Sequence, residues 1–251
     1  MGYKGLDEKV IVVTGSAQGI GAAYVRRLAQ EGATVIAADR NLEGVTALAA
    51  ELGDRVVPYE IDVASIESAQ RLAAFAAERF GRVDGLINNA AIFSTIRMAP
   101  FWEITEQEWD AISNVNIKGV WAVTSALIDL LKASRAASIV NIGSDSVVLG
   151  RSNYLHYVAS KGAVTGMTYS MSKELGDFGI RVNTLSPGPV YTEVARDTVT
   201  EAQTNAMLAA QAIHRKAGPE DMTAVAAFLL SDDSAYVTGQ TVSVNGGLWH
   251  R

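Results

Sequence analysis

The 251-residue chain has no cysteine, which excludes disulfides and a thiolate-held zinc site. That composition fits a reducing compartment, so a cytoplasmic location is expected. Histidine is scarce, at three residues, and His214 and His250 have no neighbours with metal-ligand spacing; no metal is expected. No apolar run approaches the roughly 20 residues that span a bilayer. Met1 to Lys9 is short and polar, and reads as neither a signal peptide nor a membrane anchor. Basic clusters are also missing: 21 Lys and Arg against 27 Asp and Glu are scattered along a chain of net charge −6. Nucleic acid is therefore not an expected partner. No repeat, low-complexity tract or polar linker divides the chain, so residues 1–251 are expected to form one domain.

What is present is a globular balance, 49% apolar and 19% charged. Strand candidates lie at Val10–Thr14, Thr34–Ala38, Val56–Glu60, Gly85–Asn88, Ser138–Ile142, Arg181–Ser186 and Thr241–Val244, and most are rich in Val and Ile and lack polar alternation. Such runs suit strands covered on both faces. Helical patterns lie between them, at about 20–30, 42–52, 65–79, 105–132, 155–175 and 220–230. The alternation predicts a three-layer, doubly wound α/β fold: a seven-stranded, mainly parallel sheet with helices on both faces. The least regular stretch, 188–218, is expected to cover the ligand crevice.

Thr14-Gly15-Ser16-Ala17-Gln18-Gly19-Ile20-Gly21 joins the first strand to the first helix. Glycines at Gly15, Gly19 and Gly21 permit a tight turn close to a pyrophosphate, and the helix N-terminus offers N–H groups and partial positive charge. A glycine-rich turn alone can also be merely structural. Asp39, at the end of the second strand, can accept both ribose hydroxyls of an adenosine and repel a 2′-phosphate, which favours NAD over NADP. Arg40 can instead pair with a phosphate or stack on adenine. The alternative role for Asp39 is to cap the helix starting near Leu42.

Tyr157-Val158-Ala159-Ser160-Lys161 sets a phenol and an ammonium on one helix face. A nearby cation favours phenolate and lowers a pKa that starts at about 10. Tyrosine then becomes a usable acid/base. An ordinary helix-surface pair would have the same spacing. Ser144 follows the fifth strand, at the sheet edge where open α/β folds bind ligands, and its hydroxyl can hold a substrate oxygen. Ser146 competes for that role. His156, although adjacent, points about 100° away from Tyr157.

Taken in order, Gly15-x-x-x-Gly19-x-Gly21, Asp62, Asn88-Asn89-Ala90-Ala91, Asn116, Ser144, Tyr157-x-x-x-Lys161 and Pro187-Gly188 resemble the short-chain dehydrogenases/reductases of the compact, single-domain type. The resemblance runs from Lys9 to Gly247. It implies that Tyr157 is the general acid/base, that Ser144 holds the reacting oxygen, and that Lys161 lowers the tyrosine pKa and binds nicotinamide ribose. It implies that Asn116 kinks its helix and holds a water behind Lys161. Asp62 and Val63 would contact adenine, Asn89 and Ala90 would line the cofactor path with Ala91 beside it, Val190 and Thr192 would anchor the carboxamide, and Pro187 and Gly188 would belong to the same cofactor site. The family usually has glycine where Ala91 stands, so a methyl narrows the site there. Dimers or tetramers are implied too, with the helices at 105–132 and 155–175 as interface candidates.

The expected activity is NAD(H)-dependent interconversion of a secondary alcohol and a ketone. Ile92, Phe93, Ser146, Val147, Leu149, Arg151, Tyr154 and the 188–212 stretch are expected around the substrate, and their character favours a hydrophobic or aryl compound. Arg151 is either a solvated loop residue or a carboxylate or phosphate ligand. Competing readings are a 3-oxoacyl-carrier-protein reductase, which by family resemblance more often uses NADPH, a sugar epimerase or dehydratase, which would need a larger C-terminal region, and a dinucleotide-binding regulator without turnover.

Overall fold

The computed structural model describes residues 2–194 and 200–250. Seven strands form one parallel sheet: β1 (Val10–Thr14), β2 (Thr34–Asp39), β3 (Val56–Glu60), β4 (Gly85–Asn88), β5 (Ser138–Ile142), β6 (Arg181–Pro187) and β7 (Thr241–Val244). Their order is β3-β2-β1-β4-β5-β6-β7, so the direction of winding reverses between β1 and β4. Two expected strands are each one residue longer than their apolar runs, ending on Asp39 and Pro187.

The helices are α1 (Gly19–Gln30), α2 (Leu42–Leu52), α3 (Ile66–Phe80), α4 (Glu106–Ile112), α5 (Gly119–Ala126), α6 (Ile128–Lys132), α7 (Ser146–Leu149), α8 (Leu155–Glu174), α9 (Glu201–Ala210) and α10 (Glu220–Leu230). Local chemistry sets several starts. Asn41 and Ser65 accept N–H groups of α2 and α3 from Gly44 and Ser68, and Thr105 and Thr200 open α4 and α9 with reciprocal capping boxes. Among the described residues, no helix is long and apolar enough to cross a membrane.

Alternate residues of the strands enter two cores. Ile11, Val13, Val35, Ala37, Ile87, Val140 and Leu185 pack with α1, α2 and α10. Val10, Val12, Ile36, Leu86, Ile139 and Val182 pack with α3, α5 and α6. Burial on both faces is why the central strands read as largely apolar runs. Pro58, which lacks an N–H, is accommodated because β3 is an edge strand.

A polar row crosses this apolar sheet. Asn88, Asn141 and Thr184 are register partners on β4, β5 and β6. Asn88 Nδ2 donates to Asn141 Oδ1 at 2.9 Å and to Thr124 Oγ1 at 3.0 Å. Asn141 Nδ2 donates to Thr168 Oγ1 at 2.9 Å, and Thr184 Oγ1 donates to the same oxygen at 2.8 Å. These bonds satisfy polar groups that would otherwise be costly at such depth.

The 105–132 region departs from its expected single helix. Between α4 and α5 the backbone widens into a π-helical turn over Ser113–Lys118, and α6 follows a break at Leu127. Gly119 brings this turn against Val63, where an added Cβ would lie 3.0 Å from Val63 Cγ2. The wide turn interrupts the helix ladder at Asn116, whose amide is bonded to another part of the chain.

Candidate active site

The carboxyl ends of β1 and β4 meet at the topological reversal, the place where open α/β sheets bind ligands. The glycine-rich turn leaves β1 there and is sewn to the loop after β4. Thr14 Oγ1 accepts the N–H groups of Asn89 and Ala90, each at 3.1 Å. Asn89 Nδ2 donates to the carbonyl oxygens of Thr14 and Gly15, at 3.0 and 2.8 Å. Gly15 has φ +66°, and a Cβ on it would lie 2.6 Å from Ala90 Cα. A Cβ on Gly21 would collide with the Gly15 carbonyl oxygen. Ser16 is buried with its hydroxyl directed to the Ala38 carbonyl at 3.3 Å, so its side chain fastens the turn to β2.

The turn fits an anion. No side chain from Gln18 caps α1, and its first turn carries no acidic residue. The N–H of Gly19 instead donates at 2.6 Å to a carboxylate oxygen of Glu193, a residue remote in sequence. A backbone N–H at a helix N-terminus that already binds a carboxylate is the kind of donor a pyrophosphate uses.

Asp39 lies at the carboxyl end of β2 beside this turn. Its Oδ2 accepts from Ala17 N at 3.0 Å, and its Oδ1 accepts from Asn41 N at 2.9 Å. Asn41, rather than Asp39, caps α2. Arg40 is exposed. Asp62 is exposed after β3, with Oδ1 accepting from Ala64 N at 3.0 Å, while Val63 is buried in the core beside α3. Ala91 is exposed, and its φ is negative, so the methyl that replaces the family's glycine meets no backbone strain.

The chemical centre is formed by α8 against the end of β5. Lys161 is buried, and its ammonium donates to the Ile142 carbonyl oxygen at 2.7 Å. It also lies 5.8 Å from the centroid of the Tyr157 ring. Burial pulls the Lys161 pKa down to about 8. Ser144 stands two residues beyond Ile142, half-buried, and its Oγ accepts from Ser146 N at 3.2 Å. Asn116, on the π-helical turn, grips the main chain of Ile92: Oδ1 accepts its N–H at 2.8 Å and Nδ2 donates to its carbonyl at 3.3 Å. The same Nδ2 donates to Ser160 Oγ at 3.1 Å, and Ser160 Oγ donates to the Tyr157 carbonyl at 2.7 Å. A bonded path thus runs from the turn carrying Asn116 to the backbone of Tyr157.

An aromatic cluster backs the phenol. Phe93 lies 4.7 Å from Tyr157 and 6.2 Å from Tyr154, centroid to centroid, and Ile96 and Ile112 complete its buried part. Tyr154 is 1% exposed, so it sits within the cluster rather than at an open surface. Arg151 covers its ring, with the guanidinium carbon 4.2 Å from the centroid. The Ser146 hydroxyl is buried without a partner among the described residues, Val147 is half-buried and Leu149 is exposed.

Along the other wall, Pro187 and Val190 are buried, with Gly188 half-buried between them, and Thr192 Oγ1 accepts from Val194 N at 3.2 Å. Gly188 is required by contact, since a Cβ there would lie 2.8 Å from Asn245 Cα. Of the 188–218 stretch, residues 195–199 lie outside the described residues.

Two carboxylates at the site escaped the reading of the sequence. Glu193 reaches Gly19, and Asp145, next to Ser144, is buried and accepts from Ser186, Asn245 and Trp249. An acidic residue between strand β5 and the apolar run 147–149 was the available signal for Asp145. Nothing local marked Glu193.

Comparison with known proteins agrees with this geometry. Residues 15–249 match the family model described as Enoyl-(Acyl carrier protein) reductase. The chain is 39% identical over 246 residues to a 3-oxoacyl-acyl-carrier-protein reductase of Thermotoga maritima, covering 97% of this chain and 98% of that protein. It is 36% identical to D-threitol dehydrogenase of Mycolicibacterium smegmatis, covering 96% and 93%. The crystal structure of a short-chain dehydrogenase/reductase from Brucella melitensis, titled glucose/ribitol dehydrogenase, superposes over 100% of both chains with a TM-score of 0.93 at 31% identity. The chain belongs to the short-chain dehydrogenase/reductase family, oxidoreductases that use a nicotinamide dinucleotide.

Proposed function

We propose that the protein is an NAD(H)-dependent oxidoreductase that interconverts a secondary alcohol, hydrophobic or aryl in character, and its ketone. The observation that carries this reading is the buried Lys161 ammonium 5.8 Å from the Tyr157 ring. With its pKa near 8, Lys161 is mostly protonated at neutral pH and its charge is poorly screened. That cation favours the phenolate of Tyr157.

The dinucleotide, when bound, accepts or supplies a hydride. In oxidation, Tyr157 takes the proton of the substrate hydroxyl; in reduction, it returns one to the carbonyl oxygen. Ser144 donates a hydrogen bond to that oxygen, and Asn116 keeps the loop at Ile92 and the backbone of Tyr157 in register with each other. Gly15 to Gly21 hold the pyrophosphate. Asp62 and Val63 border the adenine, Asn89, Ala90 and Ala91 the path between, Lys161 the nicotinamide ribose, and Pro187, Gly188, Val190 and Thr192 the nicotinamide. Asp39, aligned by two backbone N–H groups, accepts the adenosine ribose hydroxyls, and its charge opposes a 2′-phosphate. The cluster of Phe93, Tyr154 and Tyr157 supports an apolar substrate, with the 188–218 stretch as its cover.

A second reading, a 3-oxoacyl-carrier-protein reductase, is favoured by the name of the Thermotoga maritima relative. One assay separates the two: initial rates on secondary alcohols, aryl ketones and a 3-oxoacyl thioester, each with NAD(H) and NADP(H). Fastest turnover of an alcohol or ketone with NAD(H) supports the first reading. Fastest turnover of the thioester with NADPH replaces it with the second. Self-association is part of the same proposal, supported by exposed Trp109, Trp121 and Tyr169 on α4, α5 and α8, and light scattering tests it.

A further inference from the structure

Asp145 is 1% exposed, and no ion pair to it forms among the described residues. Three neutral donors converge on it instead. Ser186 Oγ donates to Oδ1 at 2.7 Å. Asn245 Nδ2 and Trp249 Nε1 both donate to Oδ2, each at 2.7 Å. The donors come from the end of β6, the residue after β7, and the C-terminal segment. The Asp145 N–H adds a bond to the Pro187 carbonyl at 3.0 Å. A buried carboxylate is tolerated when such donors saturate it.

The C-terminal turn held by Asp145 has a second attachment. Asn245 folds it, its Oδ1 accepting from Gly247 N at 2.9 Å. On the far side, Ile213 N donates to the Gly246 carbonyl at 2.8 Å, and Gln211 Nε2 donates to the Asn245 carbonyl at 3.2 Å. Gly246 and Gly247, at φ +64° and +76°, leave room there for Gln211 and Ala212. The turn therefore bridges the residue beside Ser144 and the stretch that follows α9.

We propose that Asp145 is a positioning residue: through Asn245 and Trp249 it fastens the C-terminal turn to the loop carrying Ser144, so that one buried carboxylate aligns the serine hydroxyl with the covering stretch. The proposal rests on the reading of Ser144 as the group that holds the substrate oxygen. Trp249 contributes through Asp145, by its N–H, and not by contact with substrate.

The test compares wild type, Asp145→Ala, Asp145→Asn, Trp249→Phe and the double variant Asp145→Ala/Trp249→Phe. Displacing a group that holds the reacting atom lowers turnover, so kcat falls about tenfold or more in Asp145→Ala and about threefold in Trp249→Phe. NADH affinity stays within about twofold in both. Asp145→Asn recovers most of the loss: its carbonyl keeps Asn245 and Trp249, while the Ser186 hydroxyl turns to accept from the amide. The double variant matches Asp145→Ala, because the two residues act as one unit.

Hydrogen exchange of the indole N–H groups gives a readout independent of turnover. Trp102, Trp109 and Trp121 are 73, 41 and 48% exposed, so the Trp249 indole is the slowly exchanging one, and Asp145→Ala releases it. Wild-type kcat in Asp145→Ala and Trp249→Phe, losses that multiply in the double variant, or an unprotected Trp249 indole overturns the proposal. Wild type inactive on every alcohol and ketone counts instead against the assigned reaction, and the indole exchange then decides the anchor alone. Should Asp145→Ala fail to fold, Trp249→Phe and Asp145→Asn decide it.

Discussion

The Lys161 ammonium donates to the carbonyl oxygen of Ile142 at 2.7 Å, with the lysine buried at the end of β5. Its charge sits where water scarcely reaches, and that loss of hydration, which one main-chain carbonyl does not offset, is why its proton is bound less tightly than in the open chain.

That difference has a sign that stability measurements can read. The lysine pKa is about 8 folded and 10.5 in the ordinary state. Between those values the unfolded chain binds more protons, so raising the pH stabilises the folded form. Urea unfolding of wild type and Lys161→Met should therefore diverge from pH 8 towards 10.5, wild type gaining relative to the variant. A constant difference across that window contradicts the burial of the charge.

Tyr157→Phe keeps the ring that packs 4.7 Å from Phe93 and removes the hydroxyl. Turnover should drop by at least about a hundredfold, the usual loss with a positioned acid/base, while NADH binding changes by less than about twofold. Single-turnover kinetics with fluorescence titration checks both. Near wild-type turnover would exclude Tyr157 as the proton carrier.

Asp39→Ala leaves two backbone N–H groups, those of Ala17 and Asn41, without their acceptor. A stability loss of about 1–2 kcal/mol is expected from such bonds. The more telling change is in cofactor choice: the KM for NAD rises, that for NADP falls, and their ratio shifts towards NADP. An unchanged ratio removes Asp39 from cofactor selection.

Glu193→Ala frees the Gly19 N–H and takes a negative charge from the N-terminus of α1. Dinucleotide affinity should tighten about twofold to fivefold, in line with one charge at a helix end. The gain should shrink as salt is added. Isothermal titration at two ionic strengths measures it, and weaker binding by the variant would show that Glu193 assists the cofactor.

The layout of the sheet was legible in the sequence because most strands are covered on both sides and are rich in Val and Ile, with the helical patterns alternating between them. The places of Gly15, Asp39, Ser144, Tyr157 and Lys161 near the carboxyl ends of the strands follow from their spacing against those apolar runs, whereas Asn116 was marked only by the family resemblance; the roles of all six belong to the proposal. The pieces of 105–132 were not legible. Their break accompanies the grip of Asn116 on Ile92, a tie between residues far apart in sequence that no periodicity records. Glu193 and Asp145 were hidden for the same reason: each finds its partners on segments more than 40 residues away. Tyr154 is 1% exposed and packs with Ile96, Ile112 and Tyr157, with Arg151 over its ring, a burial that its place in the sequence did not announce.

The row of Asn88, Asn141 and Thr184 makes neighbouring strands interlock like teeth of a key. Shift β5 by a single position and Asn141 turns to the opposite face, among the aliphatic side chains beneath α10, while Asn88 and Thr168 each lose one partner. Mispaired sheets are penalised at three strands together, and these strands lead directly to the loops bearing Asn89, Ser144 and Gly188. The relative placement of those three segments at the sheet edge is thereby inherited from the interior.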